Sequence, residues 1–228
     1  MKLGIIGLPQ AGKTTIFNAL TGGDVPVTMS GGRFEVHTAV VDVPDPRVDA
    51  LSRLYNPKKT TYAKVTYADI AGLEGSGSGD ISGPLLTELS QMAGFLHVVR
   101  CFEDPSVPHI TGSINPQRDI QAMEDEFILN DLIQVERRLK RLEEERQRGG
   151  RDKGEIAAEQ TLFERLHAAL EANQPLRLLD FTPEEEKALS GFGFLSRKPL
   201  LIVLNLGEGQ PAPQVALPPK AELVALHG

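Results

Sequence analysis

The segment Gly7-Leu8-Pro9-Gln10-Ala11-Gly12-Lys13-Thr14 matches the phosphate-loop pattern G-x-x-x-x-G-K-[ST]. An apolar run, Lys2–Ile6, precedes it, and a helix-forming stretch, residues 13–20, follows it. This order of strand, glycine-rich turn and helix is the context that the motif requires. The segment therefore predicts a P-loop nucleotide-binding fold. The alternative is a glycine-rich turn that binds no ligand, but the Lys-Thr pair and the correct flanks favour the phosphate loop.

The residue types of this segment fit the chemistry of a triphosphate. Glycines let the backbone curl so that successive N–H groups point at the phosphates, and the helix N-terminus adds its positive dipole end. Lys13 would bridge the β- and γ-phosphates, and the Thr14 hydroxyl would ligate Mg²⁺. The predicted phosphate-binding residues are Pro9, Gln10, Ala11, Gly12, Lys13, Thr14 and Thr15.

A second carboxylate lies at the end of another predicted strand, residues 60–69. Asp69 is placed where a carboxylate of P-loop proteins holds Mg²⁺, and the N–H of Gly72 would meet the γ-phosphate. The alternative is that Asp69 caps a strand-to-loop turn. Its occurrence together with a phosphate loop favours the metal role, so the predicted metal ligands are Thr14 and Asp69. The Gly/Ser tract that follows is typical of a loop that a γ-phosphate orders.

The chain continues as alternating predicted strands and helices. Apolar or alternating runs at residues 36–43, 95–102 and 199–204 indicate strands, and helices are predicted near residues 48–54 and 85–92. This alternation predicts an α/β protein with a mostly parallel sheet flanked by helices.

A long helical segment interrupts the alternation. Residues 119–148 hold no strong helix breaker, and apolar residues recur there at coiled-coil spacing, at Ile128, Leu132, Val135, Leu139 and Leu142. Gly149-Gly150 ends this helix, and a second helix over residues 154–173 predicts an antiparallel hairpin. We therefore expect a P-loop NTPase part at residues 1–117, an α-helical coiled-coil insertion at 118–195, and a second NTPase part at 196–228 with the base-recognition strand and loop.

The predicted tip of the hairpin is rich in cations. Between residues 136 and 153 they are Arg137, Arg138, Lys140, Arg141, Arg146, Arg148, Arg151 and Lys153. One interpretation is a contact with the ribosome through ribosomal RNA phosphates. The other is a solvated coiled-coil face stabilised by pairs with Glu143, Glu144 and Glu145.

Composition restricts the function classes. The 228 residues carry a net charge of −7, which excludes a bulk nucleic-acid coat and leaves only a local basic patch for such contacts. The single cysteine, Cys101, forms no intrachain disulfide and fits a reducing compartment. No apolar run approaches the length of a membrane span, and no signal-peptide pattern begins the chain. We expect a cytoplasmic protein without a membrane partner.

Five segments together resemble the YchF/Obg-like ATPase family. They are G-L-P-Q-A-G-K-T at residues 7–14, D-V-P-D-P-R at 42–47, D-I-A-G-L at 69–73, H-V-V-R-C-F-E at 97–103 and N-L-G-E at 205–208. The resemblance covers nearly the whole chain and implies a translation-factor-related P-loop NTPase of the Obg group with a coiled-coil insertion. The family's C-terminal TGS domain has no counterpart here, so we expect a truncated chain.

The base motif departs from that of guanine-specific relatives, N-K-x-D. Here the matching positions hold Asn205, Leu206 and Glu208. Leucine lacks the stem and ammonium that flank guanine, and glutamate moves the carboxylate by about one methylene, which spoils a bidentate contact. The resemblance implies a preference for ATP, with Asn205 and the Leu206 backbone near the adenine.

The group that orients the attacking water is also changed. After D-x-x-G the usual glutamine is replaced by Leu73, which offers no polar atom. The resemblance assigns this role to a histidine of a flexible loop, and the matching residue is His109, which we expect to be exposed. His97 lies inside an apolar run and is interpreted as a hydrogen-bonded core histidine.

Both switch regions depart from the family pattern. The family's Mg²⁺-ligating threonine is missing from residues 28–37, where Arg33 lies near its position and Thr28 or Thr38 is a substitute. The loop at residues 74–80 is shorter and acidic. We predict a slow Mg²⁺-dependent ATPase that acts as a nucleotide switch linked to translation. The alternatives are a GTPase of the Obg group and a ribosome-binding module with negligible hydrolysis.

Overall fold

A computed structural model describes residues 1–25, 36–71, 81 and 83–227. Six strands are present in the described residues: β1 Lys2–Ile6, β2 Val36–Asp42, β3 Lys64–Ile70, β4 Gly94–Arg100, β5 Leu200–Leu206 and β6 Glu222–His227. The described α-helices are α1 Lys13–Thr21, α2 Pro46–Tyr55, α3 Gly83–Ser90, α4 Pro116–Arg148, α5 Lys153–Glu171 and α6 Pro183–Leu189. Every strand and helix predicted from the sequence is found, with ends that differ by up to a few residues.

The six strands form one sheet in the order β2-β3-β1-β4-β5-β6. Every neighbouring pair is parallel except β2 with β3, which is antiparallel. The predicted α/β class with a mostly parallel sheet is therefore confirmed. Strand β3 begins at Lys64 and not at residue 60 as predicted, because its antiparallel partner β2 ends there, with Asp42 opposite Lys64.

Two apolar layers cover the faces of the sheet. On one face, Ile5, Phe17, Leu96 and Val203 pack between the strands and α1. On the other, Ile6, Phe95 and Ile202 pack with residues of α3 and of the first turns of α4. Because the strands are parallel, their carboxyl ends meet at one edge of the sheet, and the loops after β1, β3, β4 and β5 come together there.

The predicted helical hairpin is present. Helices α4 and α5 run antiparallel, and the predicted seam residues Ile128 and Val135 pack against Phe163 and Leu166 of α5. Helix α4 contributes to two cores, because its residues Ile120 to Phe127 pack on the sheet and those further along pack in the hairpin. The predicted domain boundary at residue 118 stays a prediction.

A buried carboxylate joins α4 to the segment before β5. Asp131 is fully buried and accepts hydrogen bonds from the N–H of Leu195 at 2.8 Å, and from the N–H and hydroxyl of Ser196 at 2.8 and 2.6 Å. These three donors would have no water to bind if the acceptor were lost.

We expect Asp131→Asn to lower the free energy of unfolding by about 1–3 kcal/mol, the usual cost of a buried donor without an acceptor. The new amide would put its NH₂ group where Ser196 donates. Denaturant unfolding measures the loss. Asp125→Asn, at an exposed position of the same helix, is the control and should change stability by less than about 0.5 kcal/mol. Equal stability of both variants would contradict this role of Asp131.

Candidate nucleotide-binding site

The phosphate loop is wedged against the ends of two neighbouring strands. Gly7 has φ +146°, and a Cβ there would lie 2.3 Å from the carbonyl oxygen of Val98 on β4. Gly12 has φ +94°, and a Cβ there would lie 2.2 Å from Asn205 Nδ2 on β5. Both glycines are therefore required by backbone conformation and by space. The loop takes its shape from the sheet as much as from its own sequence.

The N-terminus of α1 is built to receive an anion. Gly12 precedes the first helical residue, Lys13, and no side chain of the described chain caps this helix end. The first N–H groups of α1 therefore have no acceptor from a capping side chain, and they carry the positive end of the helix dipole. This arrangement fits the predicted contact of residues 9–15 with phosphate groups.

Lys13 lies inside the loop that would hold the phosphates. Its Nζ donates to the carbonyl oxygens of Gly7 and Leu8, both at 3.0 Å. Burial lowers the pKa of Lys13 to about 8, and the negative charge of Asp69 opposes this shift. A bound polyphosphate would favour the charged amine by the same electrostatic effect as Asp69.

Thr14 and Asp69, the two predicted metal ligands, are in direct contact. The hydroxyl of Thr14 donates to Asp69 Oδ2 at 2.7 Å, although the two residues are 55 positions apart. Asp69 is buried, and its Oδ1 has no hydrogen-bond partner among the described residues. An unpartnered carboxylate oxygen next to a hydroxyl is a donor set that Mg²⁺ prefers. The side chains therefore fit the predicted metal. Thr15, by contrast, is exposed on the first turn of α1.

The predicted base motif lies next to the phosphate loop. Asn205 Nδ2 donates to the carbonyl oxygen of Ala11 at 3.0 Å, so this side chain joins β5 to the loop. The side chain of Leu206 packs in the core and is only 2% exposed, which leaves its backbone for a base. Glu208 is exposed. The base assignment of these three residues stays a prediction.

His109 does not have the exposed side chain that the sequence led us to expect. Its side chain is 5% exposed, and Nε2 lies 3.1 Å from Asp119 Oδ2 in the first turns of α4. Its Nδ1 faces the N–H and the hydroxyl of Thr111, at 3.2 and 2.9 Å. Both ring nitrogens therefore have polar neighbours within the protein. Its catalytic role stays a prediction, and Asp119 is a neighbour that no sequence motif indicated.

His97 is a core histidine, as predicted, but without the hydrogen bonds expected of one. It is 1% exposed, and neither ring nitrogen has a partner among the described residues. Burial, together with the charge of Lys13, lowers the pKa of His97 to about 3. The imidazole is therefore neutral at physiological pH.

Some predicted switch residues lie outside the described residues: Thr28, Arg33, Gly72, Leu73 and the loop at 74–80. Thr38, the other substitute for the missing threonine, is exposed on β2 and pairs with Ala68, next to Asp69 on β3. Its predicted role as a metal ligand stays a prediction.

The cations of the predicted basic tip form two groups, those in ion pairs with glutamates and those without an ion pair among the described residues. Arg138 contacts Glu145 of its own helix and Glu159 of α5, and Arg151 contacts the same two glutamates. Arg146 and Arg148 pair with Glu143 and Glu144. Among the described residues, no ion pair involves Arg137, Lys140, Arg141 or Lys153. The spacing of Arg137, Lys140 and Arg141 places them on one side of α4, and all three are exposed.

Two features that the described residues lack limit the kinds of site. They contain no group of three or more His, Cys, Asp or Glu side chains that could hold a metal ion by themselves. In the same part of the chain, no helix combines the length and apolarity that crossing a membrane requires. A metal at Thr14 and Asp69 would thus need further ligands from a nucleotide or water, as is usual for Mg²⁺.

Comparisons with known proteins agree with this geometry. Residues 2–139 match a family described as 50S ribosome-binding GTPase. The ribosome-binding ATPase YchF of Escherichia coli O157:H7 is 36% identical over 210 residues, covering 91% of this chain and 57% of the relative. Obg-like ATPase 1 of Oryza sativa subsp. indica is 34% identical over 211 residues, covering 91% of this chain and 53% of the relative.

A solved structure supports the same assignment. The YchF GTPase of Schizosaccharomyces pombe matches with a TM-score of 0.69 and 28% identity, over 91% of this chain and 57% of that one. The chain thus spans a little over half the length of these relatives. It belongs to the 50S ribosome-binding GTPase family of P-loop nucleoside triphosphatases, within the group of YchF and Obg-like ATPases.

Proposed function

We propose that this protein binds ATP with Mg²⁺, hydrolyses it slowly to ADP and phosphate, and uses the nucleotide state to alter its binding to the ribosome. The observation that carries the proposal is the assembly of Lys13, Thr14 and Asp69 around one loop at the carboxyl edge of the sheet. The family assignment supports nucleotide binding. The names of the relatives include both ATPase and GTPase, so the choice of base is part of the proposal.

In this mechanism each group has one task. The N–H groups at the start of α1 and the Lys13 ammonium hold the phosphates and neutralise their charge. Thr14 and Asp69 would hold Mg²⁺, which supplies further charge for the phosphoryl group. His109 orients the attacking water. Because its ring nitrogens face Asp119 and Thr111, the His109 side chain has to turn away from them before it can reach a water molecule.

The end of β5 and the loop after it lack the groups with which guanine-specific relatives bind guanine. The Leu206 side chain packs in the core and is not available to flank a guanine, and Glu208 presents one methylene more than the usual aspartate. Guanine would therefore lose the bidentate contact that gives guanine-specific relatives their selectivity.

Titration with fluorescent ATP and GTP tests nucleotide binding. We expect ATP to bind at least as tightly as GTP, and Lys13→Ala to remove about 2–4 kcal/mol of affinity for either, because a charged phosphate contact is lost. Lys187→Ala, at an exposed lysine of α6, is the control. An unchanged affinity in a folded Lys13→Ala protein would contradict the phosphate-loop assignment. If GTP binds more than about tenfold more tightly than ATP, a difference of about 1.4 kcal/mol, the result would instead favour the alternative of a GTPase of the Obg group.

Single-turnover hydrolysis tests the role of His109. We expect His109→Ala to reduce the hydrolysis rate by about 10²-fold and to leave ATP affinity within about twofold, because a general base acts on the water and not on the bound nucleotide. His167→Ala, at a histidine on the hairpin, should leave both unchanged. Thermal unfolding shows whether the loss of the Asp119 contact has affected the fold. Hydrolysis at the wild-type rate would favour the alternative of a ribosome-binding module with negligible hydrolysis.

The ribosome is the proposed partner, with the exposed cations of α4 as the contact for ribosomal RNA. Such a partner would place the protein in the cytoplasm. The support is that Arg137, Lys140 and Arg141 are exposed and form no ion pair with any described residue, because cations without a carboxylate partner are available for RNA phosphates. The cations of the same tip that pair with glutamates fit the alternative of a solvated coiled-coil face.

Cosedimentation with ribosomes over a series of salt concentrations tests this contact. We expect the triple variant Arg137→Ala/Lys140→Ala/Arg141→Ala to bind ribosomes more weakly. The slope of the logarithm of its binding constant against the logarithm of salt concentration should be less steep by up to about 3, one unit for each lost phosphate contact. The control replaces three exposed cations elsewhere, Arg53, Lys58 and Lys59, with alanine. The same affinity and slope in both triple variants would leave the hairpin as a solvated face.

A further inference from the structure

One side chain bridges the loop after β5 to the end of β4. Gln210 Oε1 accepts the N–H of Gly207 at 3.0 Å, and Gln210 Nε2 donates to the carbonyl oxygen of Cys101 at 2.7 Å. The backbone N–H of Gln210 also donates to the Gly207 carbonyl oxygen at 3.1 Å, which closes the turn. The amide uses its acceptor and its donor at once, and it joins two segments that are more than 100 positions apart in the chain.

This bridge is the last link of a path that begins at the phosphate loop. The carbonyl oxygen of Ala11 accepts from Asn205 Nδ2 at 3.0 Å, and the carbonyl oxygen of Asn205 accepts from the N–H of Cys101 at 2.9 Å. Cys101 then accepts from Gln210, and Gln210 holds Gly207. The position of the loop after β5 relative to the phosphate loop is therefore fixed by consecutive hydrogen bonds.

The same contacts determine which groups of this loop are left for a base. The N–H of Gly207 is taken by Gln210, and its carbonyl oxygen lies 3.0 Å from His227 Nδ1 at the end of β6. A Cβ at Gly207 would lie 3.3 Å from Gln210 Oε1 and 3.6 Å from Phe102 Cβ, so the turn is closely packed. Glu208, the next residue, is exposed, and no described side chain forms a hydrogen bond or an ion pair with it. The direction in which the Glu208 backbone leaves the turn is therefore determined by the position of Gly207, the residue before it.

We propose that Gln210 is the positioning residue of the base-binding segment, which holds Gly207 so that Glu208 and the backbone of Leu206 face the purine of the bound nucleotide. The inference rests on the proposed function, since it assigns the base to the loop after β5. Because Gln210 Oε1 and Nε2 already bond Gly207 and Cys101, Gln210 acts in this proposal through the backbone of the loop and not by contact with the phosphates or the base. It therefore controls the part of the binding free energy that comes from the purine and leaves the part that comes from the triphosphate.

The bridge requires one acceptor for the N–H of Gly207 and one donor for the carbonyl of Cys101, which glutamine supplies and glutamate or alanine does not. Glutamate keeps an oxygen for the N–H of Gly207 but places its second oxygen against the Cys101 carbonyl, where two acceptors repel. Alanine removes both bonds and leaves the Gly207 N–H without its acceptor. The two variants should therefore differ in degree, with alanine the more damaging.

Competition binding separates the purine from the triphosphate. The dissociation constants of ATP and of inorganic tripolyphosphate are measured for the wild type, Gln210→Ala, Gln210→Glu and the control Gln214→Ala, at an exposed glutamine four residues further on. We expect Gln210→Ala to weaken ATP about tenfold while tripolyphosphate stays within about twofold. Gln210→Glu should lie between Gln210→Ala and the wild type, and Gln214→Ala should match the wild type for both ligands.

Four outcomes would overturn the inference. An unchanged ATP affinity in Gln210→Ala would show that the bridge does not position the base, and an equal loss for tripolyphosphate would show a general effect on the site. Thermal unfolding of each variant identifies a general loss of structure. If the wild type binds ATP no more tightly than tripolyphosphate, the loop after β5 makes no favourable base contact and the inference fails while the phosphate loop stands. If it binds neither ligand, the proposed function fails with it.

Discussion

The phosphate loop depends on close contact with the ends of β4 and β5. Gly7 approaches a carbonyl oxygen of β4 so closely that no side chain fits there, and a side chain at Gly12 would displace the side-chain amide of Asn205 on β5. Both glycines also have backbone conformations that favour glycine. The N-terminus of α1, and with it Lys13 and Thr14, is oriented by this contact. Asp69 then meets Thr14 because β3 lies beside β1 with Asp69 opposite Ile5. The site is therefore a product of the sheet's strand order.

The elements of the fold could be predicted because each one is indicated by local sequence. The phosphate-loop pattern, the apolar runs of β4 and β5 and the heptad spacing of α4 each report on a few neighbouring residues. The contact between Thr14 and Asp69 could also be predicted. Thr14 follows β1 and Asp69 lies near the end of β3, and the P-loop pattern implies that these two parallel strands are neighbours. Helix ends and the start of β3 were less predictable, because pairing with another strand sets them.

The surroundings of His109 and the bridge of Gln210 could not be predicted in this way. The side chain of His109 is buried because the start of α4 brings Asp119 against it, and the position of α4 depends on how its apolar residues pack on the sheet. The contact of Gln210 with Cys101 requires the register between β4 and β5, which sequence periodicity does not determine. A glutamine in a loop rich in proline has no local feature that marks it as different from Gln214.

Helix α4 runs without a break over 33 residues from the core on the sheet into the core of the hairpin. At the usual rise of an α-helix, the part of α4 beyond Phe127, the last of its residues that pack on the sheet, is about 30 Å long, so a rotation of about 5° at the sheet would move its far end by about 3 Å. Its first turns contact His109 through Asp119, and its far end carries the exposed cations. A small rotation of α4 about its contact with the sheet would therefore move both ends of the helix in a coupled way. A change at His109, where nucleotide chemistry is proposed to take place, would be converted into a larger displacement of the exposed cations.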